Sequence, residues 1–233
     1  MADDRIPLLL LPGLLNDAEL WRDQLAGLAD IADCQVGDLT GSDTLRGVAE
    51  QVLAAAPPRF ALAGFSMGGY VAQDLLRIAP ARVERLALLG TSVRAESPER
   101  SAQRRAQARA VRLPGEFHGF GEIHTRSYID PSRYGDHALI ERIRAMTVRL
   151  GAPVFQRQSQ FVRPSGMDVL TGYDRPLLLV CGEHDRIAPL ELHLEMQRLV
   201  PQARLLVLPD CGHMAPMERP QEVTQALRDW LLA

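Results

Sequence analysis

Six short apolar runs set the framework of this 233-residue chain: Ile6–Leu11, Cys34–Leu39, Phe60–Gly64, Val83–Leu89, Pro176–Cys181 and Arg204–Leu208. Each is about the length of a single strand and is read as a largely continuous apolar run rather than an alternating one, as expected of strands covered on both faces in a parallel sheet. Longer segments with helical periodicity lie between them. In "NDAELWRDQLAGL", Asn16 is the expected N-cap, with Glu19 three residues on completing a capping box. "TLRGVAEQVLAAA" stops before Pro57-Pro58, and Met67–Ala79 stops at Pro80. "APLELHLEMQRLV" and "RPQEVTQALRDWLLA" place Pro189 and Pro220 in first turns. Strand and helix alternating at this spacing imply right-handed crossovers and a doubly wound α/β sheet.

The stretch from about Thr91 to Met167 breaks this rhythm. It contains no good strand pattern, only helical ones: "SPERSAQRRAQARAV", "DHALIERIRAMTVRL" and "APVFQRQSQFV". The expected organisation is a single domain over 1–233, with a helical cap inserted at 92–167. The cap is expected to cover the carboxyl edge of the sheet, where open α/β sheets bind their ligands.

One of the six runs carries a chemical signal. "ALAGFSMGGYVAQ", residues 61–73, sets Ser66 between Gly64 and Gly68 where a strand must turn into a helix. The turn is sharp, and side chains two before and two after the serine would crowd one another. Glycines relieve that crowding and leave the hydroxyl raised above the sheet in a strained conformation. Gly69 lets the helix sit close to the strand.

A serine hydroxyl is a weak nucleophile at neutral pH. It needs a base, and the base needs an orienting acid. "PLLLVCGEHD" ends a strand with Asp185, and "ARLLVLPDCGHM" ends another with His213. Glu183 competes for the acid position. The strand ending at Leu89 is followed only by Thr91 and Ser92 and offers no acid. For the oxyanion, the expected donors are the backbone N–H of Met67 and that of Leu14, in "LPGLLND", with Leu15 as the alternative.

The order Ser66, Asp185, His213 at three strand ends resembles the α/β-hydrolase superfamily, and within it small serine esterases of the pimeloyl-ester carboxylesterase and menaquinone-pathway type. The resemblance spans both ends of the chain and is weakest in the insertion, which in that family is a variable lid. It implies an α/β-hydrolase fold and an acyl-enzyme mechanism without a cofactor. The family usually has His-Gly before the oxyanion donor, whereas this chain has Pro12-Gly13. Five residues precede the first strand, too few for the family's amino-terminal antiparallel hairpin, so about six strands are expected rather than eight. Leu15 and Phe65 are candidate substrate contacts; His124 and Tyr128, in the insertion, read as surface or cap-packing residues, with substrate contact as the alternative.

Composition narrows the alternatives. A net charge of −3 gives no global footprint for nucleic acid. All 26 basic residues are arginine, which excludes a catalytic lysine. Cys34, Cys181 and Cys211 have no metal-ligand spacing, and Cys181 and Cys211 read as small buried apolar groups. His118, His124, His137 and His193 do not cluster, so no metal is expected. His184 reads as an exposed loop residue, and Trp21 and Trp230 as core. Arg94, Arg100, Arg104, Arg105, Arg109 and Arg112 share a short stretch with only Glu96 and Glu99. They read either as a solvated helix face or as a basic patch for an acidic carrier protein or phosphorylated thioester. No leader peptide or membrane span is legible, and the cytoplasm is the expected compartment.

The functional expectation is a serine hydrolase acting on a small carboxylic ester or thioester. A cofactor-free lyase, perhydrolase or oxygenase on the same fold is the alternative, as is a slow-turnover ligand receptor.

Overall fold

The computed structural model describes residues 5–110 and 117–233. Six parallel strands form one sheet: β1 (Ile6–Leu11), β2 (Ala32–Val36), β3 (Phe60–Phe65), β4 (Val83–Leu89), β5 (Leu177–Gly182) and β6 (Arg204–Leu208). Their order is β2-β1-β3-β4-β5-β6, with every neighbouring pair parallel. The chain therefore winds outward in one direction from β1 to β2, then crosses back and proceeds from β3 to β6.

The helices are α1 (Arg22–Gly27), α2 (Leu45–Ala55), α3 (Met67–Ile78), α4 (Pro98–Ala110), α5 (Glu122–Arg126), α6 (His137–Gln158), α7 (Met167–Leu170), α8 (Leu190–Leu199), α9 (Ala215–Glu218) and α10 (Pro220–Leu232). Alternate strand residues feed two cores. Leu8 and Leu10 of β1 join Ala61, Ala63 and Phe65 of β3 beneath α1, α9 and α10. Leu9 and Leu11 join Phe60 and Leu62 beneath α2, α3 and α8. Helices thus cover both faces, which is why β3 and β5 are buried at every position. Trp21 and Trp230 are core residues, as expected.

The differences from the sequence reading have local causes. β2 begins two residues before Cys34 and ends at Val36; it is an edge strand whose residues alternate between buried and exposed, so continuous apolarity misplaced it. β6, the other edge, is likewise only partly buried. Asn16 is not the N-cap. Asp17 holds that place, its Oδ1 accepting the Glu19 N–H at 3.0 Å. Pro220 opens α10, whereas Pro189 is the extended residue just ahead of α8. The two helical patterns near the end of the insertion do appear where the sequence divides them: α6 runs through both but is parted at Gly151, where φ is +74° and ψ 175°.

Between β4 and β5 no described residue is in a strand. α4 and α6 pack on each other there, and Leu15, from the loop after β1, packs with Ala108 of α4 and Phe155 of α6.

Candidate active site

β3 ends at Phe65 and α3 begins at Met67, leaving one residue for the reversal. Ser66 takes φ +50° and ψ −113°, a strained conformation for a residue with a side chain. Its N–H donates to Leu89 O at 2.9 Å, and its carbonyl accepts Gly69 N–H at 3.0 Å and the Thr91 hydroxyl at 2.8 Å. A Cβ on Gly64 would lie 2.6 Å from Gly68 O, the crowding the sequence predicts. A Cβ on Gly68 would instead lie 2.4 Å from Leu11 O, so this glycine lets α3 approach the end of β1.

The loops after β5 and β6 converge on this turn. A Cβ on Gly182 would lie 2.1 Å from Gly212 O, so the two loops touch backbone to backbone. Glu183 N–H donates to Leu208 O and His184 N–H to Cys211 O. The contact brings Asp185 Oδ2 to 2.8 Å from His213 Nδ1, and His213 Nε2 to 3.0 Å from Ser66 Oγ. With Nδ1–H donating to the carboxylate, Nε2 is left to accept from the serine hydroxyl. Asp185 Oδ1 accepts the N–H groups of Ile187 and Ala188. Burial alone would raise this carboxyl. The charge on His213, its hydrogen bond and the two N–H donors outweigh burial and hold it below the usual aspartate range. Asp185 and His213 are each 3% exposed, so the pair is screened from water. The side-chain hydrogen bonds of His213 go to Asp185 and Ser66, and Glu183 is not among its partners.

Sequence reasoning missed the support beneath the histidine. Glu218 is buried, and its carboxyl accepts three backbone N–H groups: Asp130 at 2.7 Å, Gly212 at 3.1 Å and Met214 at 3.0 Å. Burial pushes this carboxyl above its ordinary value. The spacing of His213 and Glu218 gives no signal of this, because one donor comes from a distant loop. His213 N–H also donates to Tyr128 O at 2.7 Å. His184 is half exposed but not free of partners: its Nδ1 contacts Asp130 Oδ2, which raises the imidazole above its ordinary value.

Of the three oxyanion candidates, Met67 and Leu14 fare alike and Leu15 differs. Met67 is the first residue of α3 and Leu14 lines the cavity beside Ser66; neither N–H is hydrogen-bonded to a described residue. Leu15 is a correction. Its N–H donates to Gln158 Oε1 at 2.9 Å, its φ is +51°, and its side chain is fully buried against α4 and α6 rather than lining the cavity. Gln158 also donates to Leu39 O at 3.2 Å, and so ties the loop after β1 to the end of α6.

The cavity above Ser66 has a volume of about 330 Å³. Phe65, His124 and Tyr128 line it, together with Phe120, Ile143 and Met214. His124 and Tyr128 rings stand 5.2 Å apart, and Tyr128 and His213 rings 5.8 Å apart. Burial pushes the His124 imidazole below its ordinary value.

The arginine stretch of α4 is not a simple solvated face. Arg104 is buried and paired with Glu96, and Arg94 pairs with Glu195 at 2.6 Å. Arg112 lies outside the described residues. Cys181 and Cys211 are buried free thiols whose ionisation burial suppresses, with Cys181 pushed up to about 12. Among the described residues, no three His, Cys, Asp or Glu side chains gather so as to hold a metal ion, and no helix is long and apolar enough to cross a membrane.

Known proteins share this arrangement of chain. The pimeloyl-[acyl-carrier protein] methyl ester esterase of Aromatoleum aromaticum is 26% identical over 209 residues, covering 80% of this chain and 79% of its own. The structure of a thermophilic esterase from Thermogutta terrifontis is 32% identical, covers 97% of this chain and 89% of its own, and superposes with a TM-score of 0.84. The enol-lactonase from Burkholderia xenovorans LB400 shares the fold at 22% identity, with a TM-score of 0.87 over 99% of this chain and 93% of its own. The sharp β3–α3 turn, the six parallel strands and a match of residues 8–226 to the family model agree: the chain belongs to the alpha/beta hydrolase family.

Proposed function

We propose that the protein is a serine hydrolase that cleaves a small carboxylic ester through an acyl-enzyme. Membership of a hydrolase family and the esterases among its relatives support the reaction class. The observation that carries the mechanism is the unbroken relay from Asp185 Oδ2 through His213 to Ser66 Oγ, with contacts of 2.8 and 3.0 Å.

Ser66 Oγ attacks the ester carbonyl carbon as His213 Nε2 takes its proton. Asp185 holds the ring in the tautomer that leaves Nε2 free and stabilises the imidazolium that forms. The tetrahedral oxyanion is met by the N–H groups of Met67 and Leu14, the first at the positive end of α3. Collapse expels the alkoxide with the proton from His213. Water then repeats the sequence at the acyl carbon, returning the serine and releasing the acid.

The relative from Aromatoleum aromaticum is named for an acyl-carrier-protein ester. The arginines in and just before α4 give limited support to a carrier surface here, because Arg94 and Arg104 are engaged within the chain. The insertion at 92–167 is read as the cap that closes the cavity over Ser66, since Arg100, Phe120, His124, Tyr128 and Ile143 all line it.

The test is labelling by a fluorophosphonate probe together with hydrolysis of p-nitrophenyl butyrate. Both are expected in the wild type and both are lost in Ser66→Ala. Labelling without turnover would favour a receptor, and hydrolysis that survives Ser66→Ala would remove Ser66 as nucleophile.

A further inference from the structure

The relay leaves one charged group of the cavity unused. Arg163 follows α6, and its side chain retains 15% of its exposure. Its guanidinium lies over the Tyr70 ring, 5.6 Å from the centroid. Its Nε is buried without a hydrogen-bond partner, and its Nη1 stands 3.5 Å from Glu96 Oε1, long for a hydrogen bond.

Glu96 is already taken. Arg104 Nε donates to its Oε1 at 3.0 Å and Arg104 Nη2 to its Oε2, a two-pronged pair. Arg104 spends its remaining donors on carbonyls, including Phe161 O at 3.0 Å. Burial and the neighbouring Arg104 charge pull the Arg163 guanidinium below its ordinary value, as expected of a cation lacking an anion of its own. Arg100 lies beside it and spends one Nη2 donor on Ile187 O at 3.0 Å.

The position of this charge relative to Ser66 is informative. A second cavity, of about 220 Å³, adjoins the first, and both are lined by Ser66, Glu96, Arg100, Arg163 and Ile187. Arg104 lines the larger one. Glu96 is the one acid in either wall among the described residues, so the junction carries an excess of positive charge beside the candidate nucleophile. A buried guanidinium whose one nearby carboxylate is shared with a second arginine is costly, and a planar fork of N–H donors fits a further carboxylate.

The geometry points to Arg163, with Arg100, as the binding site for a free carboxylate carried by the substrate, making the substrate a half-ester of a dicarboxylic acid. This rests on the serine-hydrolase reading above. A monoanion suits the site better than a phosphate dianion, because the Glu96 carboxyl 3.5 Å from Nη1 repels the second charge as well as the first. In the reaction, Ser66 Oγ bonds to the ester carbonyl carbon and the alcohol leaves with the proton from His213. The acyl-enzyme keeps its free carboxylate on Arg163. Water then bonds to the acyl carbon, the bond to Oγ breaks, and the dicarboxylate is released.

The test compares kcat/KM, followed by alkali uptake, for the monomethyl and dimethyl esters of succinate, glutarate and adipate. The wild type is expected to favour the half-ester by at least about tenfold at one chain length, the scale of one charge-assisted contact. Arg163→Met is expected to bring that ratio close to one, and Arg163→Lys, a point charge without the fork, to leave an intermediate ratio. Because Arg163 is buried and the variants can fail to fold, a wild-type measurement stands beside them. Free glutarate or adipate should inhibit p-nitrophenyl acetate hydrolysis at least about tenfold more strongly than valerate or hexanoate. Equal handling of half-esters and diesters, with equal inhibition by mono- and dicarboxylates, would overturn the assignment. So would discrimination between S-acyl-4′-phosphopantetheine and S-acyl-pantetheine without any preference for half-esters. Failure of the serine-hydrolase reading shows separately, as neutral-ester turnover that survives Ser66→Ala.

Discussion

Glu218 holds the backbone on both sides of His213: its carboxyl accepts the N–H of Gly212 at 3.1 Å and that of Met214 at 3.0 Å. A third bond, from Asp130 N–H at 2.7 Å, joins this loop to the segment that carries Tyr128. Glu218 is thus a positioning residue acting through His213. Glu218→Gln keeps the shape but replaces one acceptor oxygen by an N–H₂ facing a backbone donor, at about 1–3 kcal/mol. The expected result is a kcat lower by about tenfold with KM nearly unchanged, since the loss falls on alignment in the transition state. A KM change with constant kcat would assign Glu218 to substrate binding instead.

Asp185→Asn tests the orientation of the imidazole. The amide oxygen can still accept from Ile187 and Ala188, which Oδ1 does at 2.8 and 2.9 Å. The amide nitrogen would then face His213 Nδ1 and favour the tautomer with the proton on Nε2, where it cannot accept from Ser66. We expect kcat to fall by about two to four orders of magnitude. The pH dependence has a definite sign. The Asp185 carboxyl lies below its ordinary value, so its contribution to stability is present above the unfolded value and is lost as pH falls through the folded one. An esterase rate within threefold of wild type in the folded variant would remove Asp185 from the relay.

The parts legible in the sequence were those fixed by short-range chemistry. The β3–α3 turn needs its glycines within four residues of one another, and the strand ends deliver Asp185 and His213 at recognisable positions. What could not be read depends on meetings between distant segments. Leu15 stands in the sequence as the alternative oxyanion donor to Leu14, but its N–H is claimed by Gln158, 143 residues away. Arg104 reads in the sequence as one of a run of arginines and Arg163 carries no signal of its own; their different fates are set by where Glu96 sits. β2 was misplaced because an edge strand alternates where interior strands do not. Asp17 rather than Asn16 caps the first helical turn, a choice between neighbours with equivalent side chains.

The contact between α3 and the end of β1 gives a stability prediction. A methyl at Gly68 would lie 2.4 Å from Leu11 O and 2.5 Å from Pro12 O, both backbone atoms unable to move aside cheaply. Gly68→Ala should therefore lower stability by about 1–3 kcal/mol, read from the midpoint of urea unfolding. It should also reduce the activity of the folded fraction, because moving β1 from α3 separates the N–H groups of Leu14 and Met67. An unchanged midpoint would mean that the two elements can part without loss.

The last prediction concerns a histidine outside the relay. His193 of α8 is fully buried; its Nδ1 lies 3.4 Å from Pro189 O and its Nε2 has no hydrogen-bond partner. Burial pulls its imidazole down to about 4, against a partial opposing pull from Asp185. Between about 6.5 and 4 the unfolded chain therefore binds a proton that the folded chain refuses, and stability rises with pH across that window. The contribution is complete above about 6.5 and is lost as pH falls toward 4. Wild type should lose about 2–3 kcal/mol more than His193→Leu between pH 7 and pH 4.5, measured by urea unfolding at each pH. Because Asp185 titrates below this window, the difference isolates the histidine. Equal losses in the two proteins would show that His193 takes up its proton without opening the fold.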